Sequence, residues 1–183
     1  MGIKQHNGNT KADRLAELKI RSPSIQLIKY GAIGLNAIIF SPLLIAADLG
    51  SQNGTNITIS DGDRITGDTA DPSGNLYGVM TPAGNTPGNI NLGNDVTVNV
   101  NDASGYAKGI VIQGKNSSLT ANRLTVDVVG QTSAIGINLI GDYTHADLGT
   151  GSTIKSNDDG IIIGHSSTLT ATQFTIENSN GIG

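Results

Sequence analysis

The stretch "SSLTANRLTVDV", residues 117–128, returns fifty residues later as "STLTATQFTIEN", residues 167–178. Leu119 falls on Leu169, Ala121 on Ala171, Leu124 on Phe174 and Val126 on Ile176. Apolar positions keep apolar partners, and the residues between them stay polar. Inside the first phrase the apolar residues alternate, skip over Asn122 and Arg123, and alternate again. Alternation with Val, Leu and Thr reads as strand, and the two-residue skip reads as a corner between two strands. "AIGINLI" (134–140) alternates in the same way, which puts Ile135, Ile137 and Leu139 on one expected face.

Two further repeats extend the pattern. "NLGNDVTVNVND" (91–102) aligns with "DLGTGSTIKSND" (147–158), 56 residues on, placing Thr97 on Thr153 and Val98 on Ile154. A Gly followed by an aliphatic residue recurs at Gly78, Gly109, Gly136, Gly160 and Gly181, at spacings of 31, 27, 24 and 21. These glycines are read as the openings of successive coils, because such spacings centre on the length of one solenoid coil. No segment beyond residue 48 carries a helical period. The expectation is all-β: a right-handed parallel β-helix whose aliphatic ladders run through Leu119, Ala121, Leu124, Val126, Leu169, Ala171, Phe174 and Ile176. A β-sandwich also alternates, but it does not require corresponding positions to repeat.

Composition agrees with many short strands joined by tight turns. The 183 residues include 25 Gly, no Trp and no Cys, with 37% hydrophobic and only 14% charged residues. Without cysteine there is no disulfide, zinc-thiolate site or thiol nucleophile. Residues 1–30 carry six basic side chains (Lys4, Lys11, Arg14, Lys19, Arg21 and Lys29) against two acidic ones. The remainder holds five basic and thirteen acidic groups. An acidic body without a basic stripe argues against nucleic acid as a partner and against docking on anionic lipid.

The basic front runs into "GAIGLNAIIFSPLLIAA" (31–47), and Asp48 follows. A charged region, an apolar core and small residues at its end describe a secretory signal peptide, helical in the membrane, with Ala47 as the last leader residue. A membrane anchor is the alternative, but the stretch is short and is interrupted by Asn36 and Pro42. The expected organisation is a long leader over 1–47, a cap or irregular lead-in over 48–75, and β-helix coils over 76–183.

Three acidic groups are candidates for chemistry. Asp61, Asp63, Asp68 and Asp71 crowd "SDGDRITGDTAD" (60–71), without the spacing of known calcium loops, so turn-forming Asp-Gly pairs are expected. Asp142, His145 and Asp147 sit together in "GDYTHAD" (141–147), with no second His or suitably spaced Ser. Asp158 and Asp159 stand beside Gly160 as a carboxylate pair of the kind that can share acid and base roles once burial separates their pKa values. An exposed turn is expected there instead. No catalytic, cofactor or metal site is assigned.

The run "GINLIGDYTHADLGTGSTIKSNDDGIIIGHSSTLTATQFTI", with its Gly-Ile, Leu-Gly-x-Gly-Ser and Leu-Thr-Ala phrases, resembles passenger sequence of bacterial autotransporters of the pertactin-like and AIDA-like adhesin type. The resemblance covers residues 76–183. It implies a module that touches the membrane only during export, ends at the cell surface, outer membrane or outside the cell, and meets host or bacterial receptors or glycans without catalysis. The family also implies a C-terminal translocator barrel, which this sequence does not contain, so a truncated piece is expected. The alternative is a carbohydrate-active β-helix enzyme, a polysaccharide lyase or hydrolase, since architecture alone does not decide function.

Overall fold

The computed structural model describes residues 45–179. Most of the expected leader (1–44), and Gly181 among the expected coil openings, lie outside the described residues. In chain order the strands are β1 (Asp48–Leu49), β2 (Gln52–Asn53), β3 (Asn56–Ile59), β4 (Arg64–Gly67), β5 (Thr69–Ala70), β6 (Leu76–Met80), β7 (Asn89–Asn94), β8 (Thr97–Asp102) and β9 (Tyr106–Ile112). They continue as β10 (Ser118–Asn122), β11 (Thr125–Gly130), β12 (Ser133–Leu139), β13 (His145–Thr150), β14 (Thr153–Ser156), β15 (Asp159–Ile163), β16 (Thr168–Thr172) and β17 (Thr175–Asn178). There is no helix among the described residues.

The strands stack into three sheets, β1-β4-β8-β11-β14-β17, β2-β6-β9-β12-β15 and β3-β7-β10-β13-β16. Every pairing along these paths is parallel, and only the short β5 pairs antiparallel, with β6. The chain visits the first, second and third sheet in turn and then repeats the circuit one level along. That is a parallel β-helix. Residues 48–75, expected as a cap or irregular lead-in, supply β1 to β5, and their Ile57, Ile59 and Ile65 are buried in the common core.

The core is a set of aliphatic columns. Ile57, Ile90, Leu119, Ala146 and Leu169 follow one another along the third sheet. Ile65, Val98, Val126, Ile154 and Ile176 do the same along the first. Leu119, Ala121, Leu124 and Val126 are buried. Leu169, Phe174 and Ile176 are half-buried and Ala171 is exposed, because no further coil covers them among the described residues. Each apolar side chain thus rests on its counterpart about 4.8 Å away, which is why corresponding positions must stay apolar.

The glycines at 78, 109, 136 and 160 lie level with one another inside β6, β9, β12 and β15 rather than opening a strand. A Cβ on Gly109 would come within 2.4 Å of the Gly136 carbonyl oxygen and 2.5 Å of Val126; one on Gly136 would meet the Gly160 oxygen at 2.5 Å. The chain bends inward at this level, so Gly109 and Ile110 both face the interior and the alternation slips by one. Ile135 is the residue that the slip misplaces: it pairs with Lys108 and Asp159, off the buried face that Ile137 and Leu139 share.

The fifty- and 56-residue repeats each span two coils, since Leu119 reaches Leu169 through Ala146 and Thr97 reaches Thr153 through Thr125. Alternate coils differ at the corner between third and first sheets. Coils with Leu-Gly carry one extra residue there: Asn91 to Asn94 opposes Thr120 to Asn122, and Asp147 to Thr150 opposes Thr170 to Thr172. The skipped pair Asn122-Arg123 is this corner. Its second position holds a left-handed backbone in every coil, at Gly62, Asp95, Arg123, Gly151 and Gln173. That conformation points each N–H along the stack: Gly62 donates to the Asn94 carbonyl, Asp95 to Asn122, Arg123 to Thr150 and Gly151 to Thr172.

Candidate functional site

The acidic groups singled out in the sequence are distributed over the fold, most of them with a structural partner. Asp61 accepts the Asn94 amide at 2.7 Å and its side-chain Nδ2 at 3.0 Å, and these bonds hold its carboxyl below the ordinary range. Asp63, 8% exposed, accepts from the Ala47 amide at 2.7 Å and the Ser60 amide at 3.2 Å. Asp68 accepts the Ser51 amide at 2.9 Å and is lowered by it. No group of three or more His, Cys, Asp or Glu that could hold a metal ion occurs among the described residues.

The other two clusters are also dispersed. His145 Nδ1 lies 2.8 Å from Thr168 Oγ1, and Asp147 accepts the Gly149 amide at 3.0 Å. The Asp142 carbonyl, not its carboxylate, accepts from the Asn116 amide. Asp158 accepts from the Ser133 hydroxyl, while Asp159 opens β15 opposite Ile135.

A feature that the sequence did not single out is a groove of about 540 Å³ on the outer face of the second sheet. It arises where the second coil adds the β5–β6 hairpin. Asp71 turns that hairpin by accepting from the Ser73 amide at 2.8 Å and from the Asn75 amide and Nδ2 at 3.0 Å each. Gly74, at φ +86°, closes the turn. The same carboxylate pairs with Lys108 Nζ of β9 at 2.9 Å, with both side chains largely shielded from water. Burial pushes the Asp71 carboxyl up, but the Asn75 and Lys108 hydrogen bonds outweigh it and hold the group well below the usual carboxylate range.

Beneath the hairpin lies a second apolar cluster, Tyr77, Met80 and Val111, outside the main core. The groove therefore has an apolar floor and wall at Met80, Pro82 and Ile140, and polar ends at Lys108, Asp71 and Gln113. Ile140 is 51% exposed. Such a surface can hold a partner by contact and a few hydrogen bonds; it contains no nucleophile set against a base. Its only advance signal in the sequence was the Asp-Pro-Ser-Gly turn at 71–74, which interrupts the coil spacing.

The class that emerges is a parallel β-helix that carries a lateral groove on its second sheet. Over all 183 residues the chain is 97% identical to YcgV of Escherichia coli O157:H7, and equally to the protein of strain K12 named "Probable autotransporter YcgV". It spans 34% of the length of the first and 19% of the second. No protein-family profile and no solved structure matches. Identity at that level over the whole chain, together with the stacked parallel sheets, supports a fragment of an autotransporter passenger. No helix among the described residues is long and apolar enough to cross a membrane.

Proposed function

We propose that this stretch is a rigid, non-catalytic stalk segment of an exported passenger, displayed at the cell surface and meeting receptors or glycans of host or neighbouring cells. The portions of the longer relatives beyond this stretch would supply the translocator barrel. The observation that carries the reading is the use of the acidic groups: Asp61, Asp63, Asp68, Asp71 and Asp158 are each engaged in hydrogen bonds that hold the coil framework together, and Asp71, which lines the groove, is tied up by Lys108 and Asn75. The groove beside Lys108 and the polar outer faces are the surfaces on offer.

The test has two arms. Antibodies raised against residues 48–179 are expected to label intact bacteria carrying the full-length relative, and failure to label them while the protein is present in lysates sinks the surface assignment. The same protein is expected to give no turnover of polyuronides or other acidic glycans. Turnover that disappears in Asp158→Ala/Asp159→Ala would replace the stalk reading with the enzyme.

A further inference from the structure

We propose that the leader is removed at the Ala46–Ala47 bond and that the freed Ala47 ammonium pairs with the buried Asp63 carboxylate. The proposal rests on reading the front of the chain as an export leader, and it moves the boundary one residue ahead of the sequence expectation.

Ala47 already belongs to the first coil. Its amide donates to Asp63 Oδ1 at 2.7 Å, its carbonyl accepts from the Arg64 amide at 2.8 Å, and β1 begins at the next residue. Asp63 is 8% exposed, and its second oxygen receives only the Ser60 amide, at 3.2 Å. A carboxylate so far removed from water depends on its donors. Cleavage after Ala47 would take away the shorter of the two and would also remove the Arg64 contact. Cleavage before Ala47 keeps the carbonyl contact and converts the donating nitrogen into a cation at the same place. A charge-assisted bond then replaces a neutral one, with roughly twice its strength.

The bond is also reachable. Ile45 is 82% exposed and Ala46 and Ala47 are exposed, and Ala46 gives the small residue expected just before a leader cut. The step is hydrolysis by a peptidase of the export route. The bond between the Ala46 carbonyl carbon and the Ala47 nitrogen breaks, and water's oxygen joins the carbon to leave a carboxylate. Both hydrogens of that water end on the nitrogen, giving the ammonium.

The experiment uses the 183-residue chain and its Asp63→Asn variant, expressed in a bacterium and recovered from the exported fraction. Mass spectrometry of the N-terminal peptide is expected to find Ala47 first. The folded protein is then treated with an amine-reactive ester. The α-amine should react about tenfold more slowly in the wild type than in Asp63→Asn, as one unit of upward pKa shift requires. If the variant fails to fold, the comparison is with wild type in urea, where the protection should vanish. A chain starting at any other body residue overturns the cut site while leaving the leader reading intact; one that retains Met1 overturns both. Equal labelling in folded wild type and its comparator overturns the ion pair.

Discussion

Gly109→Ala adds one methyl group where two successive coils meet. The new carbon would lie 2.4 Å from the Gly136 oxygen, 2.5 Å from Val126 Cγ1 and 2.9 Å from Val128 Cγ2. Comfortable carbon contacts lie at about 3.5–4.0 Å, so each neighbour must retreat by roughly 1 Å. The two valines are buried, and the oxygen belongs to β12, the strand that pairs with β9. None of the three can move without opening a sheet or the core. Overpacking of a rigid site costs about 1–3 kcal/mol and sometimes more, and the backbone clash puts this one at about 3 kcal/mol.

Gly160→Ala, at the same level two coils on, provides the contrast. Among the described residues its Cβ would meet Ile176 alone, at 2.5 Å from Cγ2 and no closer than 3.8 Å to any other atom. Ile176 is half-buried and can rotate, so a cost of about 1 kcal/mol is expected. Urea unfolding followed by far-ultraviolet circular dichroism measures both. With a slope near ~2 kcal/mol/M, the Gly109→Ala midpoint falls by about 1.5 M and the Gly160→Ala midpoint by about 0.5 M. Adding Val126→Ala to Gly109→Ala should cost less than the two changes separately, because the second removes part of the obstruction. Gly109→Ala within about 0.5 kcal/mol of wild type, or as mild as Gly160→Ala, would refute the glycine-column argument.

Other substitutions probe the corners and the groove. Gln173→Gly relieves a left-handed backbone at φ 52° and should stabilise by about 0.5–1 kcal/mol in the same urea assay; Arg123→Gly should show no net gain, because it also loses the paired Asp95 at 2.7 Å. Asn122→Ala removes the oxygen that accepts the Thr150 amide at 2.9 Å and should cost about 1–2 kcal/mol, whereas Thr172→Ala at the equivalent corner should be nearly silent. Asp71 has a folded pKa below its unfolded value, so its contribution is present above about pH 3.9 and is lost as pH falls below it. Asp71→Asn should therefore lower the melting temperature at neutral pH and flatten its decline in acid, while an unchanged acid limb would count against the Lys108 pair.

The sequence made the coil period, the apolar columns and the glycine level legible because each leaves a mark at every turn of the stack. Leu119 and Val126 are readable since their neighbours along the axis obey the same constraint. The misplaced Ile135 shows where that logic stops: strict alternation assumes a flat strand, and the bend at Gly136 reverses it. The lateral groove was illegible for a related reason. It depends on a hairpin inserted once, and a single insertion has no counterpart to be recognised by. The left-handed corner at Arg123 was hidden as well, because its inter-coil N–H bond to Thr150 imposes a conformation that residue would not choose alone.

The two-coil repeat has its own physical cause at that corner. In each Leu-Gly coil the extra residue leaves the next amide without a partner in the regular ladder. For Asn94 the acceptor is the Asp61 carboxylate of the coil before, at 2.7 Å; for Thr150 it is the Asn122 side chain, at 2.9 Å. The glycine of the bulge must then pass close to that acceptor: a Cβ on Gly93 would lie 2.3 Å from Asp61 Oδ1, and one on Gly149 would lie 2.6 Å from Asn122 Oδ1. Asn122 also donates back to Asn94 at 2.8 Å, so one plain coil serves the bulged coils on both sides. A bulged coil therefore calls for a plain coil with an Asx oxygen beneath it. The likeness between residues 91–102 and 147–158 is this requirement met twice, with the unlike coil between them as its necessary partner.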